Sequence, residues 1–203
     1  AYMQSTDASL PVVSALAETA HVFSFGTVPV LLDLRKLYLA FYLPFADFAF
    51  GRQIVNFGKG LVFSPTDVFS EVMVGDLDLR RRGSDVATVR VPLGDLAGID
   101  AIGELPFLRS PYAAALKAYA TFFGFDFSLV GIYRHPGGDE TLSREGLVGV
   151  TFKGDLEVGA CGEIALHMVE GAGRAYAEAM AGVDYSVRNT WLFAAEYLYK
   201  DHR

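Results

Sequence analysis

The chain is short of cysteine, of basic residues and of long apolar runs, and each shortage excludes a class. One cysteine, Cys161, among 203 residues rules out an internal disulfide and any site built on two thiolate ligands. Lysine and arginine number 17 against 24 aspartates and glutamates, a formal net charge of −7. No basic face of the kind that tracks a phosphate backbone is present, so no nucleic-acid partner is expected. No window reaches the roughly 18 uninterrupted apolar residues of a membrane helix. Lys36, Asp47, Arg52, Lys117 and Asp126 interrupt the best candidates. The residues after Ala1 lack the charged and apolar regions of a signal peptide. The closing KDHR lacks the aromatic-ended strand on which bacterial barrels commonly finish. These last two absences set the expectation that the sequence is a piece of a larger protein.

What is there is alternation. The chain is 52% hydrophobic and 13% aromatic but 20% charged, against about a quarter charged in an ordinary soluble domain. In LEVGACGEIALHMV, Val158, Ala160, Ile164, Leu166 and Met168 fall on one side, and Glu157, Cys161, Glu163 and His167 on the other. A period of two over so long a run predicts a strand with one apolar and one polar face.

The same rhythm recurs along the chain. VLLDLRKLYLAFYL reads as one long strand and DFAFGRQIVNF as its return. Eight further stretches follow, giving about ten strands in five hairpins. Short turns are expected at 44–46, 92–95, 124–126, 153–155 and 186–189, with longer connections between hairpins, the longest over 58–85. Residues 1–28 are expected to form an N-terminal loop or short helix, and 29–203 the strands. Strands of about 9–11 residues, with short turns at one end and long loops at the other, are the pattern of a transmembrane β-barrel. The fold expected is therefore all-β, an antiparallel up-and-down transmembrane β-barrel of which about ten strands are present. Trp191, Phe193, Ala195, Tyr197 and Tyr199 share a face opposite Glu196. That assigns the aromatic face to lipid and Glu196 to the lumen, where its replacement is expected to be tolerated. A soluble sandwich is the competing reading, with the apolar face as core and the acids in solvent.

The densest region for function is GRQIVNFGKGLVFSPTDVF followed by DLRRRGSDVATVRVPLG. Gly51 gives a strand position without a side chain, where another group can approach closely. Ser64-Pro65-Thr66-Asp67 reads as a turn. Arg80, Arg81 and Arg82 form a basic knot near Asp67, Asp76 and Asp78, suited to an ion-pair network that holds a loop against the wall. Five short motifs occur in order: Gly51-Arg52-Gln53, Phe57-Gly58, Pro65-Thr66-Asp67, Arg82-Gly83-Ser84-Asp85 and Pro92-Leu93-Gly94. In this order over residues 35–105 the chain resembles large, mostly uncharacterised porin-like bacterial outer-membrane barrels, with Phe57 where those proteins more often carry tryptophan. The resemblance implies a barrel larger than this chain and no particular substrate.

The region supports two readings. One is a structural loop anchor. The other is a constriction with Arg52, Gln53, Asp67, Arg80, Arg81, Arg82, Asp85 and Arg90 on the inner wall, where rings of arginine select anions and rings of acid select cations. His167 and Glu163, four apart on one strand face, could hold a metal or be two solvated lumen residues, and a Ser128–His167 pair could be imagined for catalysis. Neither is supported by a nucleophile elbow, a paired-acid motif or a phosphate-cradling loop, so no enzyme activity, metal or cofactor is expected. The function expected is a porin-like channel in the bacterial outer membrane for passive passage or binding of small solutes. Its expected partners are outer-membrane lipid, small solutes and the barrel-assembly machinery. The alternatives are a structural or adhesive barrel that binds an extracellular partner through its loops, and an outer-membrane enzyme.

Overall fold

A computed structural model describes residues 20–25, 28–33, 36–69, 83–105, 112–135, 144–155, 157–170, 174–188 and 190–201. Among these residues every regular element is a strand. Two form a separate antiparallel hairpin, β1 (Ala20–Phe25) and β2 (Val28–Asp33). The other ten are β3 (Leu37–Tyr42), β4 (Asp47–Gln53), β5 (Ser84–Pro92), β6 (Ala97–Glu104), β7 (Tyr112–Phe122), β8 (Phe125–His135), β9 (Glu145–Asp155), β10 (Gly159–Val169), β11 (Arg174–Val187) and β12 (Trp191–Lys200). They make one antiparallel sheet in which every strand pairs with its neighbours in sequence. Its edges, β3 and β12, are not paired with each other, so the sheet is open.

Several boundaries differ from the sequence expectation. Ala20–Phe25, expected within a loop or short helix, is strand β1, because it finds a register partner in VPVLLD. The single strand expected over 30–43 is two, β2 and β3, and they belong to different sheets. Continuous apolar patterning conceals such a break, since either half alternates acceptably. The turn expected at 153–155 is not there, because β9 stays paired as far as Asp155. The strand expected to reach Phe57 ends at Gln53, and Ile54–Phe57 leave the sheet. At the β7–β8 turn, Phe123 (φ 52°) and Gly124 (φ 79°) are both left-handed, the two-residue geometry whose twist matches that of the flanking strands.

The register defines a tilted wall. Across the ladder from Asp47 the partners are Arg90, Asp100, Lys117, Val130, Gly149, Ala165, Glu178 and Lys200. The distance from this row to the tight turn grows from about 2 residues in β3–β4 to about 11 in β11–β12. At the usual strand rise and spacing that stagger is roughly 28 Å along the strands for about 38 Å across them, a tilt of about 36°.

Burial is inverted relative to a soluble sheet. On β10, Cys161, Glu163, Ala165 and His167 are buried while Ile164, Leu166 and Met168 are exposed. On β7 and β8, Leu116, Leu129 and Tyr133 are exposed while Ser128 and Val130 are buried. The face carrying most of the charge is the covered one, termed here the inner face. The outer face is mostly apolar, with Arg52 and Asp85 among its exceptions.

Candidate functional site

A segment of the chain crosses the inner face. After Gln53 the backbone folds over the sheet as residues 54–69, and two kinds of contact hold it. Over β5 to β10 the contact is dry. Val55, Phe57 and Phe69 pack with Val86, Ile102, Ala113, Ala115, Val130, Ile132, Leu147 and Ala165. Phe57 and Phe69 meet edge-to-face at 5.6 Å. The stem of Lys117 comes up beside them, with its Nζ 5.9 Å from the Phe57 ring and 5.7 Å from the Tyr119 ring. Burying these side chains is the main apolar gain available to a face otherwise rich in polar groups.

Over β10 to β12 the contact is made by carboxylates. Glu163, 1% exposed, accepts the backbone N–H of Lys59 (2.5 Å) and of Gly60 (3.0 Å) on Oε1. On Oε2 it accepts the Ser64 hydroxyl (3.1 Å), the Thr66 N–H (3.3 Å) and the Thr66 hydroxyl (2.8 Å). Among the described residues no lysine or arginine forms an ion pair with it. Five donors replace the water this carboxylate loses, which is the condition for keeping such a group buried. On β12, Glu196 repeats the device nearer the sheet edge. It accepts the N–H of Leu61, and those of Val62 (3.0 Å) and Phe63 (2.9 Å).

The C-terminal end of the segment is tied as well. Arg134 donates to the Val68 carbonyl at 3.1 Å, and the Ser84 hydroxyl donates to the Phe69 carbonyl at 2.5 Å.

This geometry explains the glycines and the Pro-Thr-Asp turn. A Cβ on Gly58 would overlap Ser64 Oγ and lie 2.9 Å from Glu163 Oε1, and one on Gly60 would overlap the Phe63 carbonyl oxygen. Thr66 is fully buried over Gly149, where a Cβ would meet its methyl at 2.6 Å. The Phe57-Gly58 and Pro65-Thr66-Asp67 motifs are therefore parts of a loop anchor.

Two polar networks flank the segment. Toward the turns, Asp47, Arg90, Asp100 and Lys117 stand in one register row across four strands, alternating in sign. Within it Arg90 Nε donates to Asp100 at 2.9 Å, and Asp100 is 5% exposed. Toward the loops, His167 Nδ1 lies 2.7 Å from Glu145, and its ring stacks on Tyr176 at 4.4 Å. Glu178 pairs with Lys200 at 2.5 Å and lies 3.9 Å from His167 Nε2.

The residues singled out from sequence do not form one cluster. Arg52 and Asp85 pair with each other at 2.8 Å, and their parity puts them on the outer face, opposite Val86 and Gly51. Gln53 has inner parity and donates to the Val86 carbonyl at 3.3 Å. Asp67 is buried within the segment. Arg90 belongs to the inner charged row, and Arg80, Arg81 and Arg82 lie outside the described residues. His167 and Glu163 are not joint ligands, since Glu163 is turned to the segment and His167 to Glu145. Among the described residues no group of three or more His, Cys, Asp or Glu side chains is placed to hold a metal. In register Ser128 stands beside Thr151 and then Glu163, not His167. Sequence reasoning put Glu163 and Glu196 on the polar face but missed their role as anchors. Its one available signal was a lone acid set among glycine and alanine on a strand.

No protein-family model and no curated protein matches the chain.

Proposed function

We propose that this chain is the wall of a porin-like bacterial outer-membrane β-barrel, with a water-filled passage for small solutes along its inner face and residues 54–69 as the constriction. The single observation that supports this most is the inverted burial. On β10, Ile164 and Leu166 are 63% and 44% exposed, whereas Glu163 on the opposite face of the same strand is 1% exposed. A face of that kind is costly in water and matched to lipid, and a polar face lined with charge is matched to an aqueous lumen. The strand tilt of about 36° falls in the range of such barrels. The alternating row Asp47, Arg90, Asp100, Lys117 lines the inner face without a dominant sign, and the reading carries no ion preference.

A second reading is favoured by one observation. Phe57 and Phe69 pack dry against the wall, so the segment could seal the lumen, leaving a structural barrel that acts through its loops. Single-channel recording in planar bilayers separates the two. The channel reading expects discrete conductance steps from the folded protein. A protein that inserts, shifts on a gel when heated and yet conducts nothing supports the sealed barrel.

A further inference from the structure

Three neighbouring tight turns end in apolar side chains that nothing in the described sheet covers. Leu43 and Phe45 close β3–β4, Leu93 and Leu96 close β5–β6, and Phe122 and Phe123 close β7–β8. Phe123 is 98% exposed and Phe45 66%. Phe123 also occupies a left-handed position (φ 52°) that hairpins of this kind usually fill with Asn, Asp or Gly. A phenyl ring there costs backbone strain and, in water, gains nothing. Among the described residues the other two turns are mixed, with Asp155 and Glu157 beside exposed Val158 on one and Arg188 close to exposed Trp191 on the other. The first three turns hold one charged residue, Asp95, so the rim of the sheet is mostly apolar over β3–β8 and mixed over β9–β12.

The greasy rim is continuous with the outer face, through exposed Val91, Phe127 and Phe152. It is not a groove, because successive tips are two strands apart, roughly 10 Å. Its height is informative. On β7 the outward stripe from Tyr112 to Phe122 covers ten residue steps. Tilted by about 36°, that is roughly 27 Å along the membrane normal, against an apolar band about 25 Å tall in barrels of this class. The tips therefore stand at the boundary of the hydrocarbon, within the headgroup layer.

We propose that the rim formed by these three turns is a lipid anchor, with Leu43, Phe45, Leu93, Leu96, Phe122 and Phe123 seated at the headgroup–acyl boundary of the leaflet on the turn side. The anchor fixes the depth of this side of the wall, as interfacial aromatics do elsewhere. It rests on the membrane reading above, and its test keeps the two apart.

Trp191 is the only tryptophan and lies on the outer face. The wild-type chain is folded into phosphatidylcholine vesicles with and without bromine on the acyl chains, and so is Phe123→Trp in a Trp191→Phe background. Phe45→Trp in the same background is the second probe if the first fails to fold. Trp191 is expected to lose more than half its fluorescence to bromolipid. The tryptophan at the turn is expected to do the same, most strongly with bromines nearest the headgroup, and to be shielded from acrylamide. An unquenched Trp191 overturns the membrane reading and the anchor with it. A quenched Trp191 beside a turn tryptophan open to acrylamide overturns the anchor alone. Shielding from acrylamide without bromolipid quenching assigns the rim to a protein partner, and that too overturns it.

Discussion

Thr66 and Glu163 are 97 residues apart, and Thr66 gives Glu163 two hydrogen bonds, from its backbone N–H at 3.3 Å and its hydroxyl at 2.8 Å. The pair joins the crossing segment to the middle of β10, where no solvent reaches either partner. Glu163→Gln removes the charge and replaces one acceptor oxygen with a donor that faces other donors. Hydrogen bonds to a buried charge are worth about 1.5–3 kcal/mol, so the substitution is expected to cost about 2–4 kcal/mol. Because the strands pair independently of it, circular dichroism should stay β while limited proteolysis begins to cut within 54–69. An unchanged digestion pattern would show that the dry contacts alone hold the segment.

Glu196 was expected to be freely replaceable as a lumen acid, but it holds three consecutive N–H groups. Being only half-buried, it should matter less than Glu163. Glu196→Gln is expected to cost about 1 kcal/mol and to free the tip at Leu61–Phe63 first. Under the channel reading it raises current noise more than mean conductance. Hydrogen exchange at the Leu61, Val62 and Phe63 amides checks this, with faster exchange there and little change at Thr66.

How far these roles could be read in advance follows from what a period of two encodes. Alternation tells which side of a strand a residue takes, and the faces of β7 to β12 were legible for that reason. It does not tell what lies over that side. Glu163 could be placed on the polar face, but its partners come from a segment about a hundred residues upstream, and nothing local to GACGEIALHMV names them. Arg52 failed differently. Its charge drew it toward the lumen, yet Phe48, Phe50 and Arg52 share a parity, and that face is the outer one. A charged side chain at a strand end can lie on an apolar face when a partner such as Asp85 neutralises it. The reason for glycine at two positions of the segment, room for Ser64 and Glu163 at Gly58 and for the Phe63 carbonyl at Gly60, needed the folded segment.

The space at Gly58 makes a separate test. Gly58→Ala puts a methyl onto Ser64 Oγ and against the Glu163 carboxylate, and overpacking of this kind costs about 1–3 kcal/mol. Ser64→Gly removes the obstacle at the price of one hydrogen bond. The double variant is therefore expected to recover part of the loss seen in Gly58→Ala, and urea unfolding of the four proteins measures the coupling. Strict additivity would mean the methyl is accommodated by movement elsewhere.

Arg90 and Asp100 test whether the inner row is structural. Asp100 is buried and Arg90 about half exposed, so removing the arginine leaves a carboxylate short of its partner in a covered position. Arg90→Ala is expected to cost about 1–3 kcal/mol. Arg90→Ala with Asp100→Asn should cost less than the arginine change alone, since a neutral amide is cheaper to leave there. If the single and double variants unfold alike, the pair is solvated in the folded protein and adds little.

The assignment of faces is tested most directly at Phe193, which is 62% exposed on the outer face of β12 beside outward Tyr185. In lipid, an arginine on that face near mid-membrane costs about 2–4 kcal/mol, because the guanidinium must either leave water or distort the bilayer around it. In water the same change on an exposed side chain would be close to neutral and would improve solubility. The two environments thus give opposite signs for one substitution. Phe193→Arg is expected to lower folding yield into vesicles and to reduce the heat-modifiable band on a gel. Ala194→Arg, one residue on and facing inward, should fold at near wild-type yield if the inner face is wet. Equal yields for the two variants would mean that the apolar side does not meet lipid. A gain in soluble, folded protein from Phe193→Arg would favour an apolar face that is ordinarily in water.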